Sequence, residues 1–179
     1  MSQTNLDPDT ATMDDAEWQH LWKRRCGLLN WAGITYRYHR KRQRFFDWMD
    51  KLTQVAAVMG GVAVLGKTIG DNLPWVGGAI AATGLLALVY GYSDRRQCHK
   101  ELAEQAIQFA GDIESLPYSL IDEAKVCDWD KQRAAIDLRE PPNLTTLVSK
   151  CEWEQAVADG HPNHTKAPAW WQQLHMHFF

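Results

Sequence analysis

Three groupings of residue types in this sequence could carry chemistry. Gly61 to Thr68 satisfies the G-x-x-x-x-G-K-[ST] pattern of a phosphate loop, in which backbone N–H groups cradle phosphates and the lysine reaches them. That mechanism needs a buried strand before the loop and a nucleotide-binding domain after it. Here an apolar helical pattern precedes and a turn follows, so no nucleotide cofactor is expected. His161, His164, His175 and His177, with Cys151, have the donor atoms for a metal. They sit in a Pro-containing tail with nothing to preorganise them, and no metal site is expected. Asp128 and Asp130 flank Trp129 on different helix faces and have no second acidic pair to join them. No catalytic residue emerges, and the chain reads as not an enzyme.

What the sequence must position is instead a segregated charge pattern. The 179 residues suit one domain, with 45% hydrophobic and 23% charged residues, which excludes wholesale disorder. Mean hydropathy is −0.41, which excludes a polytopic transporter. The overall charge of −3 divides unevenly: residues 1–17 carry −5, residues 18–51 carry +7, residues 52–93 carry 0 and residues 94–179 carry −5. Only Lys67 and Asp71 are charged between Leu52 and Ser93.

An uncharged stretch from Asn72 to Ser93 is long enough for a bilayer core of about 30 Å, which takes roughly 20 helical residues. A preceding stretch reaches similar length only if Asp50, Lys51 and Lys67 sit at headgroup level. The expectation is therefore two spans, about 50–70 and 73–92, joined by the turn Gly70-Asp71-Asn72-Leu73-Pro74. A hairpin buried in a soluble bundle is the alternative, and it calls for an apolar stripe rather than an apolar circumference. Arg37, Arg40, Lys41, Arg42, Arg44 and Lys51 before the first span, and Arg95, Arg96 and Lys100 after the second, put both termini on the cytoplasmic side. The expected topology is a membrane crossed twice. Arg37, Arg40, Lys41, Arg42, Arg44, Arg95 and Arg96 become candidate contacts to anionic lipid headgroups, a better partner for this block than nucleic acid. The acidic N-terminus has no basic n-region or cleavable apolar core, so no signal peptide is expected. Cys26, Cys98, Cys127 and Cys151 are scattered and read as free thiols.

Outside the spans the pattern is helical throughout, and the fold class is all-α: a two-transmembrane helical hairpin with a cytoplasmic helical bundle. An acidic tail over 1–17 precedes a two-transmembrane domain over 18–160, and an aromatic and His-rich tail over 161–179 follows. Cytoplasmic helices are expected at about 94–116, 118–139 and 144–159. The first carries the stripe Leu102, Ala106, Phe109, Ile113 and Leu116; the second a weaker one through Leu120, Ala124, Cys127, Lys131, Ala134 and Leu138. Pro117, Pro141-Pro142 and Gly160 punctuate them. Upstream, Trp18, Leu21, Trp22, Leu28, Leu29 and Trp31 make an aromatic-rich helical segment. Tail residues Trp170, Trp171, Phe178 and Phe179 could dock on the bundle, touch a membrane or bind a partner.

Small residues at close spacing, Gly61, Gly66, Gly70, Gly77, Gly78, Ala81 and Gly84, let helix backbones approach and point to self-association as well as hairpin packing. Gln54, Lys67 and Asp71 are the polar groups available to line or gate an aqueous path; the plain alternative for Lys67 and Asp71 is an interfacial position.

The run Tyr36-Arg37-Tyr38-His39-Arg40-Lys41-Arg42-Gln43-Arg44-Phe45-Phe46, a Gly-rich apolar segment, a Pro-Trp turn and a second apolar segment ending Tyr90-Gly91-Tyr92-Ser93-Asp94-Arg95-Arg96 together resemble the SLATT family. These are the SMODS- and SLOG-associating two-transmembrane effectors of bacterial conflict systems. Arg133 to Glu140, Pro141-Pro142 and Leu147 to Cys151 resemble the family's later helices, so the likeness covers about residues 18–160. It implies an anti-phage effector that oligomerises in the inner membrane and permeabilises it when a separate partner is triggered. That partner would be a nucleotide synthetase, a SLOG-type sensor or a retron reverse transcriptase. A non-toxic membrane anchor or scaffold that recruits a cytoplasmic partner is the alternative function.

Overall fold

The computed structural model describes residues 15–65, 73–169 and 176. Its described residues are all helical, with no strand. Helix α1, Asp15–Leu65, runs unbroken for 51 residues, about 76 Å at 1.5 Å per residue. No proline falls within it, and Asp15 and Glu17 complement the positive end of its dipole. Helix α2, Leu73–Tyr90, returns along the far end of α1, and α3, Tyr92–Ser115, continues back along its nearer part. Gly91 separates these two helices with φ 55 and ψ 51, a left-handed conformation that costs a side-chain-bearing residue more than glycine. Two shorter helices, α4, Glu123–Asp137, and α5, Thr145–Ala158, then pack on α1.

The result is a long spine with a packed head at one end and a two-helix arm at the other. In the head, Leu21, Leu28 and Ala32 of α1 meet Leu102, Phe109 and Ile113 of α3. Val126, Trp129 and Ile136 of α4 complete the same core. Arg24 fastens α1 to α4 by reaching Asp130 and Glu123, and these bonds raise its guanidinium pKa further above its ordinary value. Alpha5 crosses α1 at Gly33, where an added Cβ would lie 2.5 Å from the Gln155 side-chain oxygen. That close approach lets Arg37 donate to Gln155 at 2.9 Å.

The weak stripe expected on α4 is not the buried one. Leu120 is 61% and Leu138 88% exposed, whereas Val126 and Trp129 are 0% and 1% exposed. The expected stripe consists mostly of Ala, Cys and Lys, so turning Val126, Trp129 and Ile136 inward removes more apolar surface from water. Helix α4 also starts later than the 118–139 reading. Pro117 is followed by a single 3-10 turn, and Asp122 caps α4 by accepting from the Lys125 N–H at 2.7 Å. Asp122→Ala should lower stability by about 1 kcal/mol, read from the midpoint of urea unfolding.

The expected two-span membrane topology is corrected by the helix dimensions. Among the described residues, no helix is long and apolar enough to cross a membrane. Alpha2 has 18 residues, about 27 Å, against a hydrocarbon core of about 30 Å. The described apolar part of α1 beyond Lys51, Leu52–Leu65, extends about 21 Å. The all-α class stands; the transmembrane hairpin and the multi-pass inner-membrane location do not. Gly66, Lys67, Gly70 and Asp71 lie outside the described residues.

Candidate functional site

At the junction of head and arm, three elements meet around two buried imidazoles. His39, on the inward face of α1, is 0% exposed, and His99 of α3 is 4% exposed. Their Nδ1 atoms stand 2.8 Å apart, and His39 Nε2 lies 3.0 Å from the Oε1 of Glu140, in the connection between α4 and α5. Phe46 stacks on His99 with ring centroids 5.5 Å apart, and Tyr38 meets His39 edge-on at 5.1 Å.

The protons in this chain follow from the carboxylate. Burial pushes the Glu140 pKa up, but hydrogen bonds from His39 and Asn143, with the charges of His39 and Arg133, leave it below its ordinary value. An ionised Glu140 can only accept, so His39 Nε2 carries a proton. With His39 neutral, its Nδ1 accepts from His99 Nδ1–H; with His39 protonated, the direction reverses and His99 Nδ1 accepts. Burial first, then the nearby His39, Arg42 and Arg95, lowers the His99 pKa to about 3, which keeps that ring neutral. With His39 neutral, one carboxylate thereby sets both tautomers.

Among the described residues, no hydroxyl or thiol bonds the remaining His99 nitrogen. The mechanical effect of the linked imidazoles is clearer. The connection carrying Pro141-Pro142 is fastened to α1 twice, by Glu140 on His39 and by the Leu144 N–H donating to the Tyr38 hydroxyl at 3.1 Å. Burial raises the Tyr38 pKa, so that hydroxyl stays protonated. Glu140 and Tyr38 also line a cleft of about 380 Å³ between α1, α4 and α5. The clasp therefore couples α1, α3 and the α4–α5 connection at the foot of an open cleft.

None of these three residues is marked out by spacing. His39 sits inside a basic run, 60 residues from His99 and 101 from Glu140, and no local periodicity links them. The basic residues read as lipid contacts are largely engaged within the fold. Arg37 binds Gln155, Lys41 binds Glu154 at 2.9 Å, and Arg40 binds Gln43 at 2.8 Å. Arg42 lies 4.5 Å over the Phe46 ring, and desolvation lowers its pKa. Arg95 donates to the Tyr90 carbonyl, and Arg96 to Asp47 at 3.0 Å. Arg44 is exposed. Asp47, held by Lys51 and Arg96, has its carboxyl below the usual range.

Gln54 is exposed on α1 and donates to Asp50 at 3.2 Å. Gly77, Gly78, Ala81 and Gly84 are exposed on α2, and a Cβ on each of these glycines would meet nothing within 4 Å. Gly61 lies in the helical end of α1, and the phosphate-loop residues after Leu65 lie outside the described region. Cys151 is fully buried, with its thiol pushed up to about 12 by burial. His161 and His164 lie in the turn after α5, while His175 and His177 are outside the described residues. Among the described residues, no group of three His, Cys, Asp or Glu side chains is placed to hold a metal. No protein-family model matches the chain, and neither the curated proteins nor the solved structures compared with it give a match.

Proposed function

We propose that this chain is a non-enzymatic assembly module, with a helical head that answers to a separate protein and an apolar arm through which copies associate. The carrying observation is the exposure of the arm. Val55, Val58, Met59, Trp75, Leu85 and Val89 are 59%, 66%, 66%, 82%, 64% and 73% exposed. Exposed large apolar side chains grouped on one arm mark an interaction site. A second copy suits it because the two uncharged surfaces match, and the open glycine positions of α2 allow close backbone approach. The resemblance to SLATT effectors supplies the setting: an anti-phage conflict effector whose assembly is triggered by a companion sensor or signal-generating protein. A non-toxic scaffold is the alternative, and loss of growth on arm-dependent assembly separates the two.

Sedimentation of the full chain over a concentration series tests the assembly. Wild type should associate, and Val58→Glu with Leu85→Glu should weaken association by about tenfold or more, ~1.4 kcal/mol, with the head's thermal melt unchanged. A wild-type chain that is monomeric at every concentration would overturn the reading. So would undiminished association of the double variant, or monomers that leave solution only for anionic vesicles.

A further inference from the structure

The cleft of about 380 Å³ beside the clasp carries hydrogen-bonding groups that the fold itself leaves unused. Its floor is one face of α1, where Trp31, Thr35 and Tyr38 follow one another at helical spacing. Thr35 is 6% exposed, and its hydroxyl has no hydrogen-bond partner among the described residues. The little exposure that Thr35 keeps is to this cleft, which it lines. Tyr38 is 3% exposed; its hydroxyl accepts from the Leu144 N–H and donates to nothing among the described residues. A buried hydroxyl without a partner costs free energy, and a ligand that bonds it offsets that cost.

Charge decides which kind of ligand fits. The charged lining residues are Arg133, Asp137, Glu140 and Glu152, one base against three acids. Arg133 is already engaged, its guanidinium 5.2 Å over the Trp31 ring and 3.4 Å from Asp137. Glu140 accepts from His39 and Asn143, and Glu152 has no ion pair among the described residues. Such a cleft repels phosphates and other anions and attracts a cation. Among the described residues no group of three His, Cys, Asp or Glu side chains is placed to hold a metal ion, so the cation is an organic one. An ammonium group donates to hydroxyl oxygens as readily as to carboxylates, and Ile34 and Val148 offer apolar wall to a carbon chain.

We propose that this cleft binds a small alkyl polyamine, with one ammonium group on Thr35, Tyr38 and Glu140 and another on Glu152. Bound there, the amine bridges α1 to α5 and to the α4–α5 connection. Every group it uses belongs to one chain, so the site does not depend on association through the arm.

Isothermal titration of spermidine into the full chain at fixed ionic strength tests this. Wild type should bind with saturation, and Glu152→Gln should weaken binding by about tenfold or more. Thr35→Val should weaken it by about threefold or more, while Thr35→Ser, which keeps the hydroxyl, should bind like wild type. The thermal melt of ligand-free Thr35→Val should be no lower than wild type, because the hydroxyl it removes bonds nothing among the described residues. A lower melt would mean that the hydroxyl serves the fold, and would overturn the proposal. Absence of binding at millimolar spermidine would overturn it as well. So would binding that survives both Glu152→Gln and Thr35→Val, which would place the amine on acidic residues elsewhere in the chain.

Discussion

Acidification from pH 6.5 to pH 4.5 is expected to remove about 2 kcal/mol of stability, through His99 alone. The ring is buried and its pKa falls from 6.5 to about 3, so the unfolded chain takes up a proton that the folded one refuses. Stability from this group is complete above pH 6.5. It falls by about 1.4 kcal/mol per pH unit below that and is gone near pH 3. Glu140 acts in the same direction in a more acidic window, because its folded pKa lies below the ordinary 4.5. Urea unfolding across this range should show the midpoint falling first with the His99 slope. His99→Asn keeps an N–H donor for His39 but does not titrate, so its stability should be nearly flat between pH 6.5 and 4.5. A wild-type profile that is also flat would mean that water reaches the imidazole pair.

Trp129→Ala should cost about 3–5 kcal/mol, a large part of the roughly 5–15 kcal/mol that holds a domain of this size together. Trp129 is 1% exposed in the same core cluster as Leu21, Phe109 and Ile113, so its removal leaves a large cavity in that core. Alpha4 is a short helix that owes its place to this face and to Arg24. The matching control is Leu138→Ala at 88% exposure, which should change stability by no more than about 0.5 kcal/mol. The pair of measurements asks which face of α4 is inward. Equal losses would mean that Trp129 is not the residue that seats α4 on α1 and α3.

How far the fold is legible depends on whether a signal is carried by one helix. The Leu102, Ala106, Phe109 and Ile113 stripe is strong because four apolar side chains recur on one face, and all four are buried. No proline or glycine interrupts Thr35 to Met59, which allows the basic block and the apolar stretch to share one rod, and they do. Periodicity alone puts the wrong face of α4 inward, because its two candidate stripes differ in side-chain size more than in spacing. It also makes the spans too long, because absence of charge is not the same thing as length of helix.

By itself the sequence determined the all-helical class, the break at Pro117 and the segregation of charge, since each is a property of neighbouring residues along the chain. Tertiary structure alone decided that His39 would face His99, that Glu140 would set their protons, and that Arg37, Lys41 and Arg96 would be used inside the fold. The physical reason is range. Helix propensity and periodicity act over three or four residues, whereas a buried hydrogen bond between groups 60 or 101 residues apart exists only once packing has removed both from water.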